Sequence, residues 1–299
     1  MSPPVETDLT LIAPAGGLDE TIVASVAKAL KVMGVEAGEA DWLSPVETCD
    51  IPFSGANPQA AETAVREALS GAAVDLLAQP AAGRRKSLLV ADMDCTIITT
   101  ETLDELAARA DRKEDTAATE RAMRGEINFA EALKERVAML EGLEQGALEV
   151  TLAAMALSPG AETLVRTMAG NDVHTVLVSG GFGFFTEPVA AMAGLDETRS
   201  NRFEIADGRL TGRVIEPILG PEAKLETLTG LSAERQISLA RTLAIGDGAN
   251  DAPMIRAAGL GIAYRGKPVA REAARARIEA CGLTAALYMQ GYRRDEFAR

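Results

Sequence analysis

Two aspartates, Asp92 and Asp94, stand two residues apart in ADMDCT, directly after the apolar run SLLV. Carboxylates this close repel, and withdrawal from water favours their acid forms further unless a cation offsets the charge. A hard, oxygen-liganded ion such as Mg2+ is the natural compensator. The same pair would equally serve as a turn or helix-capping device, so the motif alone leaves both readings open. A second acidic turn, GDGAND, carries Asp247 and Asp251 after the apolar run RTLAI, flanked by glycines that free the backbone. Two acidic strand ends of this kind converge on one metal if their strands are neighbours.

Two further pieces suit an anion. VSGGF ends another apolar run with Ser179, Gly180 and Gly181, which offer a hydroxyl and several N–H groups at a helix start. GPEAKLETL carries Lys224, whose ammonium would neutralise a phosphate, although an isolated helical lysine ordinarily faces solvent. The only histidine, His174, lies inside the strand-like NDVHTVLVS and reads as structural. Histidine acid–base chemistry is thereby disfavoured, and carboxylates come first.

These pieces need a scaffold that brings strand ends together. From Ser87 onward, SLLVADMD, DVHTVLVSGG, RTLAIGDGAND and GLGIAY are near-continuous apolar runs, each ending in a polar or Gly-rich turn. That pattern predicts a parallel sheet covered by helices on both faces, with ligands gathering at the carboxyl ends of its strands. Residues 102–157 are rich in Ala, Glu, Leu, Met and Arg in amphipathic stretches such as FAEALKERVAML. They are too long for a simple crossover and predict a helical cap inserted after the first strand. NRFEIADGRLTGRV, residues 201–214, alternates around Asp207-Gly208 and predicts a hairpin, read as a second insertion.

The first 80 residues differ. A strand over 8–15, a helix over 18–33, extended runs near 36–48 and 50–54, a helix over 58–70 and a strand over 73–79 give the order βαββαβ. This predicts a small ferredoxin-like α+β domain, residues 1–80, ahead of a larger α/β domain, residues 88–299. PAAGRRKS between them reads as a linker, residues 81–87, with Arg84, Arg85 and Lys86 on a solvated face.

Composition narrows the partners. Acidic residues outnumber basic ones by 44 to 30, a net charge of −14, so nucleic-acid backbones and anionic membranes are repelled on average. An anionic substrate therefore needs a local positive site. Cys49, Cys95 and Cys281 are scattered without a CxxC pair, as suits a reducing compartment and not a structural zinc site. MSPPVETDLT lacks a basic start with an apolar run, and no stretch approaches the roughly 20 apolar residues of a membrane span, so a cytoplasmic protein is expected.

The ordered set DxDxT, Ser-Gly-Gly, Lys and GDGxND resembles the haloacid-dehalogenase-like superfamily, and within it the phosphoserine phosphatase family, from residue 87 to about 285. TETLDELA, GEINFAEALKERV and DGRLTG match as well. The resemblance implies a three-layer core with a helical cap and a Mg2+-dependent hydrolysis of O-phosphoserine to serine and phosphate, the last step of serine biosynthesis. Asp92 would be the nucleophile, forming an aspartyl-phosphate, and Asp94 the general acid and base. The metal would be held by Asp92, Asp247 and the backbone carbonyl of Asp94, with Asp251 in support. Ser179, Gly180, Lys224 and Asn250 would hold the phosphoryl oxygens. Glu101 and Arg136 would select the amino-acid part, a carboxylate for its ammonium and a guanidinium for its carboxylate.

In the same comparison Met123 and Phe129 fall at apolar cap positions, and Cys95 reads as a small packing residue. Many such proteins carry an N-terminal ACT-type domain, which makes Gly16-Gly17 a candidate effector contact. Serine or another amino-acid effector, or a structural and homodimerising role, remain the alternatives for that domain. Another small phosphomonoester is the competing substrate class, and an amino-acid sensor with a decayed catalytic domain is the competing non-enzymatic reading.

Overall fold

The computed structural model describes residues 6–109, 121 and 127–298. The N-terminal part runs β1 (Thr7–Ile12), α1 (Glu20–Val32), β2 (Glu36–Ala37), β3 (Asp41–Ser44), β4 (Thr48–Ser54), α2 (Pro58–Leu69) and β5 (Asp75–Pro80). Its strands form an antiparallel sheet in the order β2-β4-β1-β5, with β3 also paired to β4. Both helices start where the sequence signals it: the Asp19 carboxylate accepts from the Ile22 N–H, and Asn57 caps a helix opening on Pro58. Gly16 takes a left-handed φ of 77°, which gives the β1–α1 turn a backbone reason for its glycine.

The larger sheet contains β6 (Leu88–Ala91), β7 (His174–Phe182), β8 (Glu197–Ala206), β9 (Arg209–Ile215), β10 (Thr242–Gly246), β11 (Leu260–Tyr264) and β12 (Ala276–Ile278). Their order is β12-β11-β10-β6-β7-β8-β9, parallel except for β8 with β9. Alternation along β6 shows why the run is apolar throughout. Leu89 and Ala91 join the cluster on one face, Leu88 and Val90 the cluster on the other. The segment expected as a second insertion is instead continuous with the sheet: β8 pairs in parallel with β7, then turns back through Asp207-Gly208, both at positive φ, into β9.

Helices α3 (Thr102–Arg109), α4 (Phe129–Ala138) and α5 (Gln145–Ala154) lie between β6 and α6 (Ala161–Ala169), while 110–120 and 122–126 fall outside the described residues. The two ends of this helical stretch are stitched together: Ile98 bridges Leu157, Thr99 N–H donates to the Ala156 carbonyl at 3.1 Å, and Ser158 N–H to Ile97 at 2.8 Å. It therefore enters and leaves beside the end of β6. The remaining helices are α7 (Gly183–Ala193), α8 (Glu222–Glu234), α9 (Ala252–Ala257), α10 (Pro268–Ala273) and α11 (Ala285–Met289). No helix among the described residues is long and apolar enough to cross a membrane.

Of the three basic residues expected on a solvated linker face, only Arg85 is exposed. The Arg84 guanidinium is buried, paired with Asp50 at 2.6 and 3.1 Å and with Asp8 at 2.8 Å. It also donates to Thr10 Oγ1 and to the Tyr288 and Met289 carbonyls. Lys86 is buried as well, its ammonium on the carbonyls of Gly83 and Ala240. Arg85 pairs with Glu296 and lies 4.0 Å from the centre of the Tyr292 ring. Asp75 of β5 accepts N–H bonds from Glu279, Ala280 and Cys281, joining the small sheet to the end of the chain. A polar linker composition was read as exposure, which holds for Arg85, whereas Arg84 and Lys86 are buried and reach partners remote in sequence.

Candidate active site

Register places the motifs. β6 lies between β10 and β7, with Ala91 level with Ile245 on one side and Leu177 on the other. The Asp92 N–H continues this pairing onto the Ile245 carbonyl at 2.9 Å. Asp92, Ser179 and Asp247 thus leave three adjacent strands at the same end, about one strand residue, or ~3.3 Å, apart in level. The succession reverses across β6, with β7 to one side and β10 to the other, which is where open parallel sheets form their crevices.

After Asp92 the chain turns tightly, Cys95 adopting a left-handed φ of 54° and Ile98 N–H returning to the Met93 carbonyl at 3.0 Å. A side chain with a Cβ is uncommon there, and such strain is concentrated at sites of function. In this turn the Asp94 Oδ1 accepts from the Thr102 N–H at 2.8 Å and its hydroxyl at 2.5 Å, and Oδ2 from the Ser179 hydroxyl at 3.3 Å. The start of α3 therefore fixes the second carboxylate of the motif.

Lys224 of α8 does not face solvent. It is 3% exposed, with Nζ 2.6 Å from Asp92 Oδ1 and 2.5 Å from Asp251 Oδ1. The other Asp251 oxygen accepts from the N–H groups of Asp247 and Gly248, at 3.1 and 2.8 Å. A Cβ at residue 246 would overlap the Asp251 carboxyl carbon, so the first glycine of GDGAND is required for this closure.

The charge distribution is uneven. Burial, then repulsion from Asp251, pushes the Asp92 carboxyl well above its ordinary range despite Lys224. Burial also raises Asp247, against the pull of Lys267. Lys224 itself is held charged, since burial opposes its charge but the two carboxylates outweigh that cost. Oxygens of Asp92, Asp247 and Asp251 lie within 4.8 Å of one another. With both Asp251 oxygens already engaged, Asp92 and Asp247 are the ready donors, and this all-oxygen set fits a hard divalent cation.

Around this cluster, Ser179, Gly180, Lys224, Asn250 and Phe129 line one small pocket. The fit at Gly180 is close, since a Cβ there would lie 3.1 Å from the Phe129 ring and press on it. Glu101 lies close to Cys95 and Asp247, its carboxyl raised by burial and by Asp94. Arg136 is the expected site residue not brought into the cluster: its guanidinium holds Asp104 of α3 at 2.7 Å, three residues beyond Glu101. Met123 lies outside the described residues. His174 is structural as expected, 3.2 Å from Glu197 and 3.5 Å from Asp196.

Three residues of the site were not anticipated. Lys267 stands 3.2 Å from Asp247, at the end of β11, where the rule that located Asp247 would also have located it. Thr102 positions Asp94. Asn201, 1% exposed, donates to the Gly180 carbonyl and accepts from the Leu219 N–H, tying the anion loop to the approach to α8.

Comparison with known proteins agrees with this arrangement. The haloacid dehalogenase-like hydrolase profile matches residues 89–256. A phosphoserine phosphatase of Streptomyces coelicolor is 40% identical over 256 residues, 84% of this chain and 62% of that one. The matched part thus spans about three fifths of that relative. A phosphoserine phosphatase of Idiomarina loihiensis is 44% identical over 182 residues, 60% of this chain and 83% of that one. A solved HAD family hydrolase from Salmonella enterica serovar Typhi shares the fold with a TM-score of 0.83 and 28% identity, over 95% of this chain and 98% of that chain. The chain belongs to the haloacid dehalogenase-like hydrolases, and among them to the phosphoserine phosphatase family.

Proposed function

We propose that this chain hydrolyses O-phosphoserine to serine and phosphate, the closing step of serine biosynthesis, in the cytoplasm. The observation that carries the reading is Asp92 itself: a buried carboxylate, one oxygen held by Lys224, at the switch point of the sheet beside a second, separately fixed carboxylate. In this reading Asp92 attacks the phosphorus and becomes an aspartyl-phosphate. Asp94 protonates the departing seryl oxygen, then takes a proton from the water that hydrolyses the intermediate. Its bonds to Thr102 and Ser179 hold it at the place where both transfers occur.

Lys224, Ser179, Asn250 and the Gly180 N–H receive the phosphoryl oxygens, which supplies the positive site that an acidic chain needs for an anionic substrate. Asp92, Asp247 and the Asp94 carbonyl would hold Mg2+, with Asp251 supporting them. When bound, the ion neutralises charge on the transferring group. Glu101 receives the substrate ammonium. Arg136 receives its carboxylate after exchanging its present partner Asp104, a surface pair that costs little to open.

The N-terminal 80 residues are read as an ACT-type ferredoxin-like domain, residues 81–87 as the connection, 88–299 as the phosphatase domain and 102–157 as its cap. The order β5-β1-β4 with β2 and β3 beyond supports the first assignment. Serine binding or homodimer formation is the role proposed for it. Phosphate release from phosphoserine, with and without Mg2+, tests the reaction. The expected result is Mg2+-dependent turnover with kcat/KM well above that for phosphomonoesters lacking the amino or carboxylate group. Equal values across such a panel would remove the roles given to Glu101 and Arg136.

A further inference from the structure

The pairing of β7 with β8 is interrupted where the anion loop begins. Val178 pairs with Arg199 and Phe182 with Asn201, so three residues of β7, Ser179, Gly180 and Gly181, stand opposite a single residue of β8. Such a bulge re-aims side chains, and it takes backbone groups out of the ladder. A displaced carbonyl in a buried place needs another partner. The buried Asn201 side chain provides it, Nδ2 donating to the Gly180 carbonyl at 2.9 Å.

The same amide holds a second part of the pocket lining. Its Oδ1 accepts from the Leu219 N–H at 2.7 Å, and Nδ2 donates to the Leu219 carbonyl at 3.3 Å. An N–H can only donate, so Leu219 fixes which end of the amide faces it and which faces Gly180. Leu219 and Gly220 line the pocket beside Ser179 and Gly180, and Lys224 follows five residues after Leu219.

The bond to Gly180 carries further. In a planar trans peptide the Gly180 carbonyl and the Gly181 N–H point in opposite directions. With the carbonyl turned to Asn201, the N–H is turned to Ser179, donating to its Oγ at 2.8 Å. The Ser179 hydroxyl proton is then directed to Asp94 Oδ2, 3.3 Å away. Each bond in this series sets the direction of the next.

We infer that Asn201 is a positioning residue for phosphate: by holding the Gly180–Gly181 peptide and Leu219 together, it sets how Ser179 and the Gly180 N–H face the phosphoryl group beside Lys224. The inference rests on the phosphate pocket of the proposed function and adds the residue that holds its lining in place. The candidate metal ligands are independent of it. Asp92 and Asp247 follow β6 and β10, whereas the side-chain bonds of Asn201 go to Gly180 and Leu219 alone among the described residues.

Calorimetric titration of the full chain with inorganic phosphate at saturating Mg2+, and with Mg2+ in the absence of phosphate, reads the two separately. Asn201→Ala should bind phosphate about tenfold more weakly than wild type, the scale of one hydrogen bond to a charged group. Its Mg2+ affinity should stay within about twofold of wild type, as expected of sites that share no partner. Equal phosphate affinity would overturn the inference, since a role in folding alone leaves the folded pocket unchanged. So would parallel losses for phosphate and Mg2+, the mark of a general loosening. Wild type that binds no phosphate would overturn the pocket reading and the inference with it. If Asn201→Ala fails to fold, Asn201→Ser replaces it, its hydroxyl too short to span Gly180 and Leu219, with the same expectation and the same refutations.

Discussion

Arg84 and Lys224 are both buried cations set between two aspartates, yet their surroundings differ. Arg84 meets Asp8 and Asp50, and its other donors reach Thr10 and two carbonyls near the end of the chain. Lys224 meets Asp92 and Asp251 beside a third carboxylate, Asp247, and the Asp92 carboxyl remains raised by burial and repulsion. A buried charge network that is fully partnered builds architecture. One that carries excess negative charge is suited to receive a cation.

Substitutions that break one centre should leave the other intact. Asp92→Asn is expected to lower phosphoserine turnover by about four orders of magnitude, the scale of losing a nucleophile. Without Mg2+ its urea midpoint should rise, because a desolvated charge has gone. A fall in both would place Asp92 with Arg84 as an architectural residue. Arg84→Met should do the reverse, costing about 3–5 kcal/mol in urea unfolding as Asp8 and Asp50 lose their partner, while kcat of the folded enzyme changes by less than about twofold.

Protonation sharpens the contrast. Asp92, Asp247 and Glu101 are all raised in the folded chain, mainly by burial, so the fold binds their protons more tightly than the unfolded chain does. Their contribution to stability is therefore present in acid and lost as pH rises through the folded values. Metal-free protein should lose stability relative to Asp92→Asn as pH rises above the ordinary carboxylate range, and saturating Mg2+ should flatten that difference. An unchanged difference with Mg2+ would show that the ion binds elsewhere.

The smallest effect concerns whether the two sheets unfold together. Burial pushes the Cys49 thiol up to about 12 and raises Cys281 as well, with Asp75 adding to the latter. Neither should react with a thiol reagent near pH 8 until unfolded. Because Arg84 and Asp75 bind the small sheet to residues 279–289, both cysteines should become reactive at the same urea concentration. Earlier labelling of Cys49 would show that the N-terminal sheet opens alone.

The catalytic strands were legible because their alternation, apolar runs and acidic or Gly-rich ends are local signals, and register then forces Asp92, Ser179 and Asp247 together. Arg84 was not legible. Its partners lie 34 and 76 residues away on one side and more than 200 on the other, and a Pro, Gly and Arg stretch looks the same whether buried or free. The hairpin turn at Asp207-Gly208 was correctly placed, but its membership of the main sheet depends on pairing between β8 and β7 that no local pattern carries. Lys267 was readable in principle, as a charged residue at a parallel strand end, and was hidden by the ordinary appearance of a lysine before a proline.

The central claim is that Asp92 carries the phosphoryl group. Acid quenching during turnover of phosphoserine with Mg2+, borohydride reduction and peptide mass spectrometry reads this directly. Residue 92 should be converted to homoserine only when substrate is present, and never in Asp92→Asn. Steady turnover with no modification at residue 92, or modification at another carboxylate, would contradict it.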